Sequence, residues 1–376
     1  MREIQAGLCA PAVFEPSYID AIARINAAPS TRLPIVEIYG ASPNQLLGSQ
    51  RVNVPALRLE ALRDYVARAK AEGIGFNYLF NAALLDGSEH TPEGRRAMAA
   101  HVEKLLAVGV RRFCVAVPFL ARFLHTHYPE VEVVASIIAG IQSVPQAERF
   151  VELGATRIVV LQDLNRRFDI LEALARLGVV LEVLVNSPCL RACPDRDYHA
   201  NLSSLETTRG FAKAYRKPRD QFATCLLHCR LARFADPSEL LRIPWIRPED
   251  VESYRALGVK YFKLDGRIAS ASYNLERLEV YARGCYDGNL VRLLLENVPR
   301  TIDELSRVGP ESYRLFVANR DLDGLVAKMP CLRREMGCSR CRYCAQAAER
   351  YVRIDPQWAA RRTRELEVDI QRMHAR

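Results

Sequence analysis

A chain of 376 residues with 49% hydrophobic and 26% charged residues has the balance of a globular protein with a large core, which excludes disordered and fibrous classes. No apolar stretch is long enough to span a bilayer, and the start MREIQAGLCAPAVFEPSY has too short an apolar run for a signal peptide. The expected compartment is therefore the cytoplasm, where eleven cysteines serve as reduced thiols or metal ligands rather than disulfides. The net charge of +9 is built almost wholly from arginine, a compositional bias that by itself is no nucleic-acid signature.

In chain order, short β-branched runs alternate with amphipathic helical segments. The runs are EIQAGLCA (from Glu3), LPIVEIYGA (from Leu33), GIGFNYLF (from Gly73), VRRFCVAV (from Val110), VEVVASII (from Val131), TRIVVLQD (from Thr156), VVLEVLVN (from Val179) and VKYFKLDG (from Val259). Between them, LEALRDYVARAKAEG, PEGRRAMAAHVEKLLAVG, PQAERFVELG and RFDILEALARLG have helical periodicity, and each ends in a glycine stop. Eight such repeats predict parallel βαβ units and an α/β fold of the (β/α)8 TIM-like barrel type. An open doubly wound sheet is the alternative, but no glycine-rich phosphate turn follows the first strand.

Barrel chemistry sits at the carboxyl ends of the strands. Those ends hold Cys9, Tyr39, Asn77, Asn81, Ser136, Gln162, Asp163, Asn186, Lys263, Asp265 and Arg267, a mouth suited to a polar, carboxylated substrate. Tyr39, Asn77, Asn186 and Arg267 are the substrate-binding candidates. Asp265, Asp163 and Lys263 are the catalytic ones, with Arg267 and Lys263 doubling as anion anchors. Glu37 and Glu182 read as a polar layer inside the barrel, and Cys9 and Cys114 as core thiols.

From 187 to 250 the connection before the last strand is far longer than an ordinary βα loop. It opens with NSPCLRAC and closes with CLLHC, so Cys189/Cys193 and Cys225/Cys229 form two Cys-x3-Cys pairs. Soft thiolates at a strand end select zinc or an iron–sulfur cluster. Two further histidines, His199 and His228, lie in the same stretch. A radical S-adenosylmethionine motif is set aside, because its third cysteine would fall at Arg196.

Beyond about residue 300 the strand pattern stops. A helical pattern over Glu311–Lys328 leads to MPCLRREMGCSRCRYC and then an arginine- and glutamate-rich last helix. The continuous Cys338-x2-Cys341-x2-Cys344 run wraps one cluster more readily than separated zinc knuckles do, with Cys331 or a distant cysteine as the fourth ligand. The arginine excess here reads as solvated helix faces, so nucleic acid is only weakly supported as a partner.

The stretch IRPEDVESYRALGVKYFKLDGRIASASYNLERLEVYARGCYDGN, with VNSPCLRAC before it, resembles the signature region of the peptidase U32 family. The resemblance covers roughly residues 1–300 and is sharpest from 180 to 290, while the C-terminal cysteine run points to a distinct subfamily. It implies either collagenase-like proteolysis or, as in other members, oxygen-independent hydroxylation of ubiquinone precursors, tRNA or ribosomal RNA, with prephenate as the hydroxyl source. Those members hold a 4Fe–4S cluster on four cysteines, which here would be Cys189, Cys193, Cys225 and Cys229, although the spacing differs from that of the ubiquinone-linked members.

The expectation is a barrel over 1–300 with a cysteine-bearing insertion at 187–250, and a helical appendage over 301–376. One 4Fe–4S cluster sits at the mouth and a second cluster, or zinc, on Cys331, Cys338, Cys341 and Cys344. The favoured function is an iron–sulfur hydroxylase or related redox enzyme, served by an electron donor or a family partner protein. A U32-type peptidase and a zinc-stabilised binding protein are the alternatives. No HExxH or GxSxG motif supports hydrolysis.

Overall fold

Each of the eight runs becomes a parallel strand: β1 (Gly7–Pro11), β2 (Ile35–Gly40), β3 (Gly75–Phe80), β4 (Arg112–Val115), β5 (Glu132–Ala135), β6 (Ala155–Val159), β7 (Val180–Leu184) and β8 (Val259–Lys263). They pair in sequence order, and β8 returns to β1 with Cys9 opposite Lys263, closing the (β/α)8 barrel. The computed structural model describes residues 5–42, 57–205, 219–294 and 314–374. A parallel strand is covered on both faces, and β1 is accordingly buried at every position.

The outer ring includes the helices Leu59–Ala71, Pro92–Ala107, Val144–Glu152 and Phe168–Ala175, as their periodicity requires. Glycine stops follow them. At Gly154 the backbone takes φ +96°, and a Cβ there would lie 2.3 Å from the His125 ring, so both the turn and the packing exclude a side chain. Gly258, entering β8, has φ +95° and would clash with Ala175.

One expectation gains detail and another needs correction. The 187–250 connection is largely helical: Arg196–Leu205 and Arg219–Ala235 are helices, and 206–218 lies outside the described residues. In the C-terminal part, the described portion of Glu311–Lys328 is not a helix. It contains β9 (Leu315–Val317) and two short 3-10 turns, and β9 pairs antiparallel with β10 (Val352–Ile354). The cause is tertiary: Asn289 donates to Leu315 O (3.0 Å) and accepts from Val317 N (3.0 Å), giving this stretch an extended partner. The boundary expected at 300/301 lies outside the described residues.

The last helix (Pro356–His374) lies along Arg219–Ala235, with Phe234 and Trp358 edge to face at 5.0 Å. Buried Arg247 joins barrel and C-terminal segment by gripping Asp250, Asp323 (2.8 Å) and the carbonyl of Asn319 (2.7 Å). Among the described residues no helix is long and apolar enough to cross a membrane.

Candidate functional site

The barrel interior holds an ion lattice. Arg157 on β6, wholly buried, lies 2.6 Å from Glu37 on β2, 3.2 Å from Glu182 on β7 and 3.4 Å from Glu132 on β5, with its guanidinium over the Tyr261 ring. Arg112 joins Glu37 and Glu132, and Lys263 reaches Glu182 at 3.2 Å. Three carboxylates thus face three cations, and the set is neutral as it stands.

Cys9, Glu37 and Glu182 form the one group among the described residues in which three ligand atoms of metal-binding type lie within 4.8 Å of one another. Its carboxylates are already neutralised, and burial together with Glu182 and Glu37 pushes the Cys9 thiol well up, so this is an ion-paired core rather than a metal site. Glu37 and Glu182 therefore form the polar layer read from the sequence, and Cys9 is a core thiol.

Burial works against ionisation of Glu37, but Arg157 and Arg112 outweigh it and hold the carboxyl at about 2, below its ordinary 4.5. Stability from a depressed carboxyl is present in full above the ordinary value and lost as pH falls through the folded one. In urea unfolding, the gap between wild type and Glu37→Gln is expected to be widest near neutral pH and to shrink between pH 4.5 and about 2. A gap constant across that window would refute the assignment.

At the mouth, the sequence candidates separate by role. Tyr39, Asn77 and Asn186 are buried and spend polar groups internally: Tyr39 Oη donates to Leu264 O (2.5 Å), Asn77 Nδ2 to Glu37 (3.0 Å), and Asn186 exchanges bonds with the Asp265 backbone (2.7 and 3.1 Å). They brace the mouth. Asn77 Oδ1 and Asn81 Oδ1 are nonetheless buried acceptors without a partner, positions that would receive a donor from water or a substrate.

Lys263 is also buried, 3.9 Å over the Tyr39 ring. Burial opposes its charge, yet Glu182 and its other neighbours raise its pKa, so it is a lattice cation and not a surface anion anchor. Asp265 and Arg267 are half-buried on the turn leaving β8, and Asp265 accepts from Gly266 N (2.9 Å). Asp163 differs from the expected acid–base group. Its carboxylate accepts from Ala192 N (3.0 Å) and takes both oxygens to Arg196 (3.0 and 2.9 Å), clamping the Cys189–Cys193 loop.

That loop carries the first thiol group. Cys193 and Cys229 hydrogen-bond through their sulfurs; the bond draws Cys193 down to about 6, while the same bond and burial push Cys229 up. Cys189 is raised by burial against the opposing influence of Ser187, Arg233 and Arg196, and Asp265 is near enough to act on it, which ties the group to the mouth. Cys225 lies one helical turn before Cys229 on Arg219–Ala235; its side chain lies outside the described residues.

Arg233 was missed in the sequence, although Cys225, Cys229 and Arg233 recur at the four-residue spacing of one helix face. Its side chain is buried beside Cys189, Cys193 and Cys229, donates to Pro188 O, and leaves Nε without a partner. Among the described residues it makes no ion pair with a carboxylate.

The second thiol group is on the C-terminal segment. Cys331, Cys338, Cys341 and Cys344 line one small cavity together with Arg191 and Arg242. Arg191, from the middle of the Cys189–Cys193 loop, directs Nη1 to Cys338 Sγ at 3.8 Å. Arg166, fully buried over Trp245 and hydrogen-bonded to Ile243 O and Tyr254 Oη (both 3.2 Å), acts on Cys344 from the barrel side. Asp163 and Arg166 lie on the same 3-10 turn after β6, Gln162–Arg166, so one turn serves both thiol groups.

Residues 36–211 match peptidase family U32. A Methanocaldococcus jannaschii protein named "uncharacterized protease" is 27% identical over 321 residues, covering 85% of this chain and 89% of its own. The solved structure of a U32 peptidase superposes with a TM-score of 0.50 at 19% identity, covering 71% of this chain and 95% of its own; it has the same fold.

Proposed function

We propose, on the premise that this chain is a member of peptidase family U32, that it is an iron–sulfur redox enzyme performing oxygen-independent hydroxylation or a related modification at the barrel mouth. The observation that carries the reading is Arg233, a buried cation on which Cys229, Cys189 and Cys193 act more strongly than the carboxylate Glu239, and which makes no direct ion pair with a carboxylate among the described residues. A buried guanidinium needs an anion beside it. Metal-bound thiolates would supply that charge, adding to the Cys193 thiol that is already drawn down to about 6.

Three described residues fit such a group: Cys189, Cys193 and Cys229 would hold it, and the fourth ligand expected from the sequence, Cys225, has its side chain outside the described residues. A 4Fe–4S cluster supplies one-electron chemistry when bound, with a potential set by nearby charge and hydrogen bonds. The chain's own residues do the rest. Arg233 favours the anionic thiolates, and Asp163 fixes the loop that presents two of them. Asp265, close to Cys189, is the group suited to move a proton, and Arg267 beside it suits an anionic substrate. An electron donor or family partner protein would serve the centre.

Hydrolysis is the second reading, favoured by the names of the relatives. A hydrolase needs an activated nucleophile or a metal-bound water; here Cys9 is held neutral, and Cys193, the thiol drawn down to about 6, owes that to the Cys229 sulfur rather than to a general base. The test is anaerobic purification followed by visible spectroscopy and iron and acid-labile sulfide analysis of wild type and Cys189→Ser/Cys229→Ser. Iron and sulfide in the wild type, reduced in the double variant with the fold retained by circular dichroism, are expected. Equal metal in both proteins, or peptide cleavage by metal-free protein, would reject the redox reading.

A further inference from the structure

We infer that Cys331, Cys338, Cys341 and Cys344 form a second four-thiolate metal centre, held against the first by Arg191. It rests on different residues from the mouth centre and can stand or fall separately. Four sulfurs, three from one continuous run and one from the 3-10 turn Pro330–Leu332, line a single cavity. A chance gathering of neutral thiols would not explain the cations around them. Arg166 is fully buried with Nε unpartnered, and among the described residues neither Arg166 nor Arg191 makes an ion pair with a carboxylate. Arg191 donates instead to a sulfur, Cys338. Arg242 in the same lining is paired with Asp236 and Glu239, so Arg166 and Arg191 are the cations for which anionic sulfur would be the counter-charge, and metal-bound thiolate is how proteins keep it.

The ligand chemistry, four thiolates, suits an iron–sulfur cluster or a single zinc ion. Zinc–sulfur bonds of about 2.3 Å put tetrahedral sulfurs about 3.8 Å apart. Among the described residues, no three of these sulfurs lie within 4.8 Å of one another, wider than a single zinc ion gathers them. The run Cys338-x2-Cys341-x2-Cys344 gives the same preference, because it wraps one cluster from one side.

Arg191 makes the two centres neighbours. It lies between Cys189 and Cys193 in sequence, so the backbone that presents two sulfurs to one centre sends a guanidinium to the other. A hydrogen bond to a ligand sulfur stabilises the reduced, more negative state and raises the reduction potential.

The experiment compares anaerobic wild type, Cys341→Ser/Cys344→Ser, Cys189→Ser/Cys229→Ser and Arg191→Leu. Cys341→Ser/Cys344→Ser is expected to lose about half of the iron and sulfide, and Cys189→Ser/Cys229→Ser the other half. Loss of zinc in place of iron from the first variant supports the site and identifies a single-ion centre. Arg191→Leu, which keeps every ligand and so does not depend on the cysteine variants folding, is expected to retain the metal and show a lower reduction potential for an iron–sulfur centre, or faster loss of zinc to a chelator for a zinc centre. Unchanged metal content in Cys341→Ser/Cys344→Ser overturns the centre, whatever happens at the mouth. An Arg191→Leu protein with unaltered potential and metal release overturns its link to the first.

Discussion

Arg157→Met is expected to destabilise the barrel by about 3–5 kcal/mol, the cost of breaking a buried ion pair by removing one partner. The guanidinium is wholly buried and is the common neighbour of Glu37, Glu132 and Glu182, which come from three different strands. Methionine fills much of the volume but leaves two buried carboxylates with weakened compensation, Arg112 for Glu37 and Lys263 for Glu182. The measurement is the urea midpoint at neutral pH, with Arg149→Met as control, since Arg149 and Glu152 form an exposed pair and its loss should leave the midpoint unchanged. Arg157→Met/Glu37→Gln should recover part of the loss by removing one stranded charge. A midpoint for Arg157→Met equal to wild type would mean that the lattice is not what holds the strands in place.

If the mouth thiols hold a metal centre as proposed, Asp163→Ala is expected to weaken its binding about 10–100-fold, as loss of a group that orients ligands does. Its carboxylate does two jobs for the Cys189–Cys193 loop. It receives the Ala192 amide, at a residue with φ +52° that a non-glycine side chain disfavours, and it neutralises Arg196. Without it the loop loses the partner that makes the left-handed turn at Ala192 worthwhile. Asp163→Asn keeps an acceptor for the amide and loses only the charge, so it should fall between alanine and wild type. Chelator competition on folded protein measures this, and equal affinity in all three proteins would return Asp163 to the role of a chemical acid–base group.

The strands were legible because each is a short β-branched run with a glycine-stopped helix beside it, and a parallel barrel buries such runs on both faces. The cysteine pairs were legible by spacing alone. The partner of Glu37 was not, because Arg157 is 120 residues away and the two meet only through barrel closure. A charged residue inside TRIVVL was the available signal, since a buried strand tolerates one only when it is paired. Asp163 carried the right residue type for proton transfer, but the amide that occupies it comes from a loop whose path no local pattern predicts. The three-residue strand β9 is too short to show a period, so its neighbours read as helix until Asn289 supplied the pairing.

The packing of Pro356–His374 along Arg219–Ala235 also has a temporal consequence. On the ribosome Arg219–Ala235 emerges long before Pro356–His374, so the face of that helix that carries Phe234 stays uncovered while the barrel is already closing. The barrel must therefore keep that apolar face from foreign contacts until Trp358 docks against Phe234, the last step open to the chain.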